Sequence, residues 1–239
     1  MTIDFHSHIL PYLDDGSESI EESIRLLDIM AQNGTDTLIC SPHFYCHEIG
    51  INSFLEARQN SYEQLKPHLK PEHPKILLGS EVLYSSKLIK LDDLEKLCIQ
   101  GTNYLLLEMP YLRLSKQIID SVSELVDSGR VKVIVAHIER YLNFTDYADL
   151  EELMSLDVLG QLNANSFLER RTRKICLKLL NNGFAQVIGS DMHHEDRGVP
   201  IKRAYEVIEK KLGSERVVEI EESGNRILKD METYDIIEL

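Results

Sequence analysis

The chain has no tryptophan and only four cysteines among 239 residues. Cys40, Cys46, Cys98 and Cys176 form no C-x-x-C pair, and a disulfide framework is not expected in so long a chain with so few thiols. Cys40, Cys98 and Cys176 sit among apolar neighbours and read as packed, reduced thiols, whereas Cys46 lies beside potential ligands. The Cys-x5-Arg loop of thiol phosphatases is absent. No apolar run approaches the roughly 18 residues that a membrane span needs, so membrane insertion is not expected. Met1 to His6 carries no basic stretch leading into an apolar one, which predicts no signal peptide and a cytoplasmic location. Positive charge is also scarce, with 26 Lys and Arg against 40 Asp and Glu and a net charge of −14. Such a chain repels a phosphate backbone, so no nucleic-acid partner is expected. An anionic substrate remains compatible, because bound cations reverse the field locally. No repeat, low-complexity tract or linker divides the chain. With 43% apolar and 28% charged residues it reads as one globular domain over residues 1–239.

Short β-type runs alternate with amphipathic helical patterns. The runs are 2–8, 37–40, 76–81, 104–108, 131–137, 159–165 and 186–191. Helical patterns fill 19–31, 53–70, 85–99, 115–128, 146–157, 168–182, 201–212 and 214–231. In the first helix Ile20, Ile24, Leu27 and Ala31 share a face, Ser19 and Glu22 have capping-box spacing, and Gly34 is placed to end it. Val133-Ile134-Val135-Ala136 is apolar without alternation, as in parallel strands covered on both faces. Seven strands each followed by a helix predict a (β/α) barrel, with an open doubly wound sheet as the alternative.

The ends of the apolar runs carry the chemistry. They hold His6 and His8, then His43, Glu81, Glu108, His137, and finally Asp191 with His193. In a parallel barrel these ends share one face, where barrel active sites lie. His6-Ser7-His8 alternates with period two, so both imidazoles point one way and supply half of a metal site. By itself H-x-H is a weak signal. A carboxylate such as Glu81 or Glu108 at the buried end of a strand is costly unless paired or metal-bound. Asp14-Asp15-Gly16 follows the H-x-H strand and is placed to fold over the barrel mouth. A structural explanation would have to recur independently at six strand ends. His47, His68, His73 and His194 lack this placement, and His68 and His73 read as surface residues.

The segments His6-Ser7-His8-Ile9-Leu10-Pro11, Asp14-Asp15-Gly16, Ser41-Pro42-His43, Gly79-Ser80-Glu81, His137-Ile138-Glu139-Arg140 and Ser190-Asp191-Met192-His193 together resemble the PHP (polymerase and histidinol phosphatase) family. Within it the chain looks most like the bacterial manganese-dependent protein-tyrosine phosphatases of capsule and exopolysaccharide operons. The resemblance implies a single-domain α/β fold, a distorted (β/α)7 barrel holding two or three divalent ions, manganese first and iron or zinc as alternatives. It implies that His6, His8, Glu81 and Asp191 hold one ion, that Glu81 bridges to a second completed by Glu108 and His137, and that Asp14, His43 and His193 hold a third. The implied activity is release of phosphate from tyrosines of a protein, a tyrosine kinase controlling polysaccharide synthesis, through attack by metal-activated hydroxide. Arg140 and Arg197 are the implied phosphate contacts. Two departures stand out. Paired histidines often follow the second strand in the family, whereas His43 here precedes Phe44-Tyr45, and the order at Arg197-Gly198 is shifted. The competing readings are a phosphatase of a small ester such as histidinol phosphate, a TatD-like nuclease, and a metal-stabilised regulatory module without turnover. The nuclease would want a histidine where Gln161 to Asn165 stand.

Overall fold

The computed structural model describes residues 1–237. Nine short strands are all parallel: β1 (Ile3–Ser7), β2 (Thr37–Cys40), β3 (His43–Phe44), β4 (Lys75–Leu78), β5 (Glu81–Leu83), β6 (Tyr104–Glu108), β7 (Lys132–Val135), β8 (Val158–Asn163) and β9 (Val187–Gly189). They occupy seven positions, because two expected strands are broken. Pro42, which has no N–H to donate, separates β2 from β3, and Gly79-Ser80 separates β4 from β5. The pieces run β1-β2-β4 and β3-β5-β6-β7-β8-β9. The curl closes where β1 meets β9: Asp191 N–H donates to His6 O at 2.8 Å and His8 N–H to Met192 O at 2.8 Å. That closure excludes the open sheet and gives the distorted seven-position barrel.

The barrel is built on buried apolar alternation. Leu105, Leu107, Val133 and Val135 pack with Ile119, Val122, Leu150 and Leu153 of the surrounding helices. Leu106 and Ile134 pack instead with Ile39, Leu77, Leu159 and Val187 from other strands. Each such side chain contributes roughly 1.5–3 kcal/mol through burial. Gly189 marks a close approach across the closure, since a Cβ there would lie 2.5 Å from His6 Cβ.

The helices are α1 (Ile20–Gln32), α2 (Ile51–Leu65), α3 (Lys116–Asp127), α4 (Tyr147–Met154), α5 (Arg170–Asn181), α6 (Ile201–Leu212), α7 (Ser214–Ile227) and α8 (Thr233–Ile237). Half of the expected α1 capping box forms: Ser19 Oγ accepts from Glu22 N–H, while Glu22 Oε2 accepts from Glu18 N–H, one residue before the cap. Its buried face is rotated from the expected one, with Ser23, Leu26, Leu27 and Met30 inside and Ile20 and Ile24 at the margin. The helix expected over 85–99 is absent. Two short 3-10 turns, Leu88–Lys90 and Leu94–Leu97, stand there, because burying Leu88, Leu94 and Leu97 against the barrel does not follow a 3.6-residue period. His73 is not a surface residue either: its imidazole is 1% exposed and bonds Asp28 at 2.9 Å. Among the described residues no helix is long and apolar enough to cross a membrane.

Candidate metal centre

The C-terminal strand ends converge as the alternation predicts. His6 on β1 and His8 just beyond it turn the same way, and their Nε2 atoms stand 3.0 Å apart. Glu81 opens β5 in register with His43 and sits among four imidazoles. Its Oε2 lies 3.2 Å from His6 Nε2, 3.3 Å from His8 Nε2 and 2.9 Å from His43 Nδ1, and its Oε1 lies 2.9 Å from His137 Nε2. Glu108 at the end of β6 approaches His137 Nε2 at 3.6 Å. Asp191 Oδ1 lies 3.5 Å from both His6 Nε2 and His193 Nδ1 and 3.6 Å from His8 Nε2. Three sets have ligand atoms within reach of a single ion: His6, His8 and Glu81; His43, Glu81 and Glu108; and His8, Asp15, His43 and His193.

The last set differs from the sequence expectation. Asp15, not Asp14, stands with His43 and His193, at 3.4 Å and 3.3 Å from their Nε2 atoms. Asp14 turns back, where its Oδ2 bonds His8 Nδ1 at 2.7 Å and accepts from His43 N–H at 3.0 Å. The reason lies in the loop. A Cβ on Gly16 would fall 2.1 Å from His8 O, so the chain folds flat on His8 and Asp14 is the carboxylate delivered to its ring.

A set of supporting groups aims the rings. Gln161 Oε1 accepts from His137 N–H at 2.8 Å and meets His6 Nδ1 at 3.3 Å. His193 Nδ1 bonds Asp191 O at 2.9 Å. With the outer nitrogens of His6, His8 and His193 engaged, their Nε2 atoms are left to face the cluster. Asn163 holds Asp191 Oδ2 at 2.9 Å, and Asp4 Oδ1 accepts from Ser190 N–H at 2.8 Å. Sequence reasoning placed Asp15 in the loop over the mouth without making it a ligand, and gave Asp4, Gln161 and Asn163 no part in the site. Gln161 and Asn163 do carry the period-two spacing of the H-x-H strand, which is the signal that could have found them. His137 and Asp191 adopt left-handed backbone, at φ +32° and +53°. For a non-glycine residue this costs on the order of 1–3 kcal/mol and persists only where the surroundings impose it.

These donors fit a metal cluster. Glu81 Oε2, His43 Nδ1, His137 Nδ1 and His193 Nε2 are buried without an aligned hydrogen bond, the short approach of Glu81 to His43 included, and buried polar atoms are ordinarily satisfied. Facing Nε2 atoms and crowded carboxylates are the donors that a cation between them would use. Without a cation the carboxylates and imidazoles titrate against one another. Burial works against the charged forms of His6 and His8, yet the facing carboxylates outweigh it and raise both imidazoles above their usual range. Burial alone would raise Asp14, but His8 brings it down to about 2. His193 is pushed down to about 4 by burial and by His8. Glu81 and Glu108 diverge. Burial opposes ionisation of both, but His6, His137 and His43 hold Glu81 well below the usual carboxylate range. Glu108 is raised, by burial and by the charge of Glu81.

Glu108→Gln therefore relieves repulsion in the metal-free protein while removing a candidate ligand. We expect activity to fall at least about 100-fold with no loss of melting temperature. Phosphate-release assays and thermal denaturation of the stripped variant check this, and wild-type turnover would remove Glu108 from the site.

The two arginines edge the same cleft, of about 410 Å³, which is also lined by Tyr45, Leu83 and Tyr111. Arg140 donates to Asp191 Oδ2 and, at 3.3 Å, to Tyr111 Oη, rather than pairing with Glu139, which bonds Ser166. Arg197 Nη1 bonds Asp15 Oδ2 at 2.8 Å. Tyr45 stacks on His43 at 5.3 Å and Tyr111 on His137 at 6.2 Å between ring centroids. Among proteins of known identity, the putative tyrosine-protein phosphatase CapC of Staphylococcus aureus is 30% identical over 255 residues, covering 98% of this chain and 96% of that one. The tyrosine-protein phosphatase CpsB of Streptococcus pneumoniae is 28% identical over 239 residues, covering 91% and 94%. The fold superimposes with a TM-score of 0.82 on a chain from the crystal structures of YwqE from Bacillus subtilis and CpsB from Streptococcus pneumoniae, which are metal-dependent tyrosine phosphatases; identity is 23%, and 96% of this chain and 95% of that one are covered. The model of the capsular polysaccharide synthesis family CpsB/CapC matches residues 2–229, and the chain belongs to that family.

Proposed function

We propose that this protein is a metal-dependent phosphatase that hydrolyses phosphotyrosine on a protein, a bacterial tyrosine kinase that governs capsular or exopolysaccharide synthesis, in the cytoplasm. The observation that carries the reading is the composition of the cleft: a floor of buried imidazoles and carboxylates, two arginines at the edge, and aromatic walls from Tyr45 and Tyr111. A phosphate monoester enters an acidic site only if cations screen it, and a phenyl ring gains by stacking on aromatic walls, about 0.5–1.5 kcal/mol. The names of the relatives, tyrosine-protein phosphatases along nearly their whole length, support the same reading.

In this reading His6, His8, Glu81 and Asp191 hold one divalent ion, and Glu81, Glu108 and His137 a second. His43 and His193 hold a third, with Asp15 as its carboxylate and Asp14 orienting His8. Nitrogen and oxygen donors of this kind suit manganese, iron or zinc, and we assign manganese. When bound, the ions neutralise phosphate charge and lower the pKa of water so that hydroxide is available at neutral pH. The protein's own groups do the rest. Arg140, anchored by Asp191, retains free N–H donors for a phosphate oxygen. Arg197 supplies a second cation across the mouth. Tyr45 and Tyr111 orient the ring so that the bond from phosphorus to the phenolic oxygen lies opposite the incoming oxygen. The leaving phenol has a pKa of roughly 10, so its oxygen departs more readily than a serine alkoxide and needs less help from a general acid.

The test is phosphate release from a tyrosine-phosphorylated peptide by metal-stripped protein before and after Mn²⁺ is added. We expect no release before and full activity after, with the matched phosphoserine peptide and histidinol phosphate turned over at least about tenfold more slowly. Faster release from histidinol phosphate would replace the protein substrate with a small one. No release from any ester would sink the phosphatase reading.

A further inference from the structure

Outside the cleft, the most unusual feature of this acidic chain is the helix α5. Its sequence, RRTRKICLKLLN, holds five of the chain's 26 basic residues and none of its 40 acidic ones. Every other α-helix among the described residues contains at least one carboxylate. Cys176, Leu179 and Leu180 are turned inward. On the other side Arg170, Lys174 and Lys178 follow one another at intervals of four residues, and all three are exposed, as is Arg171. They therefore form one stripe along about 12 Å of helix. Arg170, Arg171 and Lys174 flank a shallow hollow of about 340 Å³.

Nothing about helix stability accounts for this stripe. Like charges four residues apart repel. Four of the five cations lie in the first five residues, at the end where the helix dipole favours negative charge. Among the described residues none of Arg170, Arg171, Lys174 and Lys178 has an ion-pair partner; Lys178 lies 3.6 Å over the Tyr147 ring instead. Charge held in an unfavourable arrangement on the surface points to something outside the helix that neutralises it.

The stripe starts on the same face of the barrel as the cleft. β8 ends at Asn163, which holds Asp191, and the turn Ala164–Phe167 leads directly toward α5. Ser166 in that turn bonds Glu139, the neighbour of Arg140, at 2.7 Å. Arg173 then ties the start of α5 to the carbonyls of Phe167 and Leu168.

We infer that the exposed stripe of α5 is a docking surface for the flanks of the phosphoprotein substrate, a polypeptide carrying further phosphotyrosines or carboxylates several residues from the one in the cleft. The inference rests on the proposed phosphatase reading. Each added phosphate brings close to two negative charges and three strong acceptors, and arginine presents a fork that matches them. The rest of this acidic surface repels such a chain, so α5 sets the direction from which it approaches.

The experiment compares the wild type with a triple variant, Arg170→Gln, Arg171→Gln and Lys174→Gln, each loaded with Mn²⁺. Three probes are used: p-nitrophenyl phosphate, a neutral peptide with one phosphotyrosine, and an acidic peptide with three. We expect kcat/KM of the wild type for the acidic peptide to exceed that for the neutral one about tenfold at low salt, with the advantage shrinking at about 200 mM salt. The variant should lose this advantage through KM and keep wild-type rates on the other two probes. Equal kcat/KM of variant and wild type on the acidic peptide overturns the inference. If the wild type hydrolyses none of the probes, the phosphatase reading has failed, and fluorescence anisotropy of the labelled acidic peptide decides the docking separately. Binding at least fivefold weaker to the variant supports it, and equal binding overturns it. Cosedimentation of the wild type alone with phosphatidylserine vesicles, together with unchanged peptide kinetics, would also overturn it, in favour of a membrane contact.

Discussion

Glu81→Gln is expected to abolish turnover, lowering it on the order of 10³-fold or more, and at the same time to weaken the metal-free fold. Among the described residues no other side chain is surrounded by four imidazoles, with His6, His8, His43 and His137 all within 3.3 Å. Those rings favour its ionised form despite complete burial. A neutral amide keeps the shape and loses the charge. The histidines then face one another without the anion that balances them, and a buried cation left unpaired is strongly destabilising. The opposite sign is expected for Glu108→Gln, because Glu108 is the carboxylate that repels Glu81. Melting temperatures of the two stripped variants, measured beside the stripped wild type, test the pair. A Glu81 variant that melts with the wild type, or that still turns over substrate, would remove Glu81 from the centre of the site.

Gly189→Ala should damage the fold itself. Its added methyl would sit 2.5 Å from His6 Cβ, 2.7 Å from Gln161 Nε2 and 3.1 Å from His6 N. The His6 atoms belong to the seam between β1 and β9, where backbone bonds close the barrel, and Gln161 reaches in from β8, so the β1 side does not yield without opening the seam. Overpacking of this kind costs about 3 kcal/mol, and in a chain of this size that lowers the melting temperature by about 6–12 °C. Metal affinity should fall in parallel, because His6 and Gln161 are the groups displaced. Gly50→Ala is the control: it has open space around the site and no left-handed φ, and should shift the melting temperature by no more than about 4 °C. An unchanged melting temperature for Gly189→Ala would show that the seam is more compliant than its geometry implies.

Both predictions concern residues whose importance reads differently from sequence and from structure. Glu81 is conspicuous in the chain, a carboxylate closing an apolar run beside other metal-capable strand ends. Gly189 is not, since a glycine near a strand end has many ordinary explanations. The helix expected over 85–99 and the surface position expected for His73 failed for the same reason: burial against distant segments is a pairwise property that local pattern does not carry.

By itself the sequence determined the alternation of strands and helices, and through it the convergence of His6, His8, His43, Glu81, Glu108, His137, Asp191 and His193 on one face. Both follow from short-range periodicity: side chains alternate every two residues along a strand, and parallel strands end together. Only the tertiary structure decided which of two adjacent aspartates reaches His43 and His193, because that depends on how closely Gly16 lies on His8. It alone gave Gln161, Asn163 and Asp4 their part in aiming the cluster. It also brought Tyr45 and Tyr111 into one cleft and set the basic stripe of α5 on the cleft's side of the barrel. Apart from the local fold of Gly16 onto His8, these depend on residues far apart in the chain coming together, which happens only once the barrel has closed.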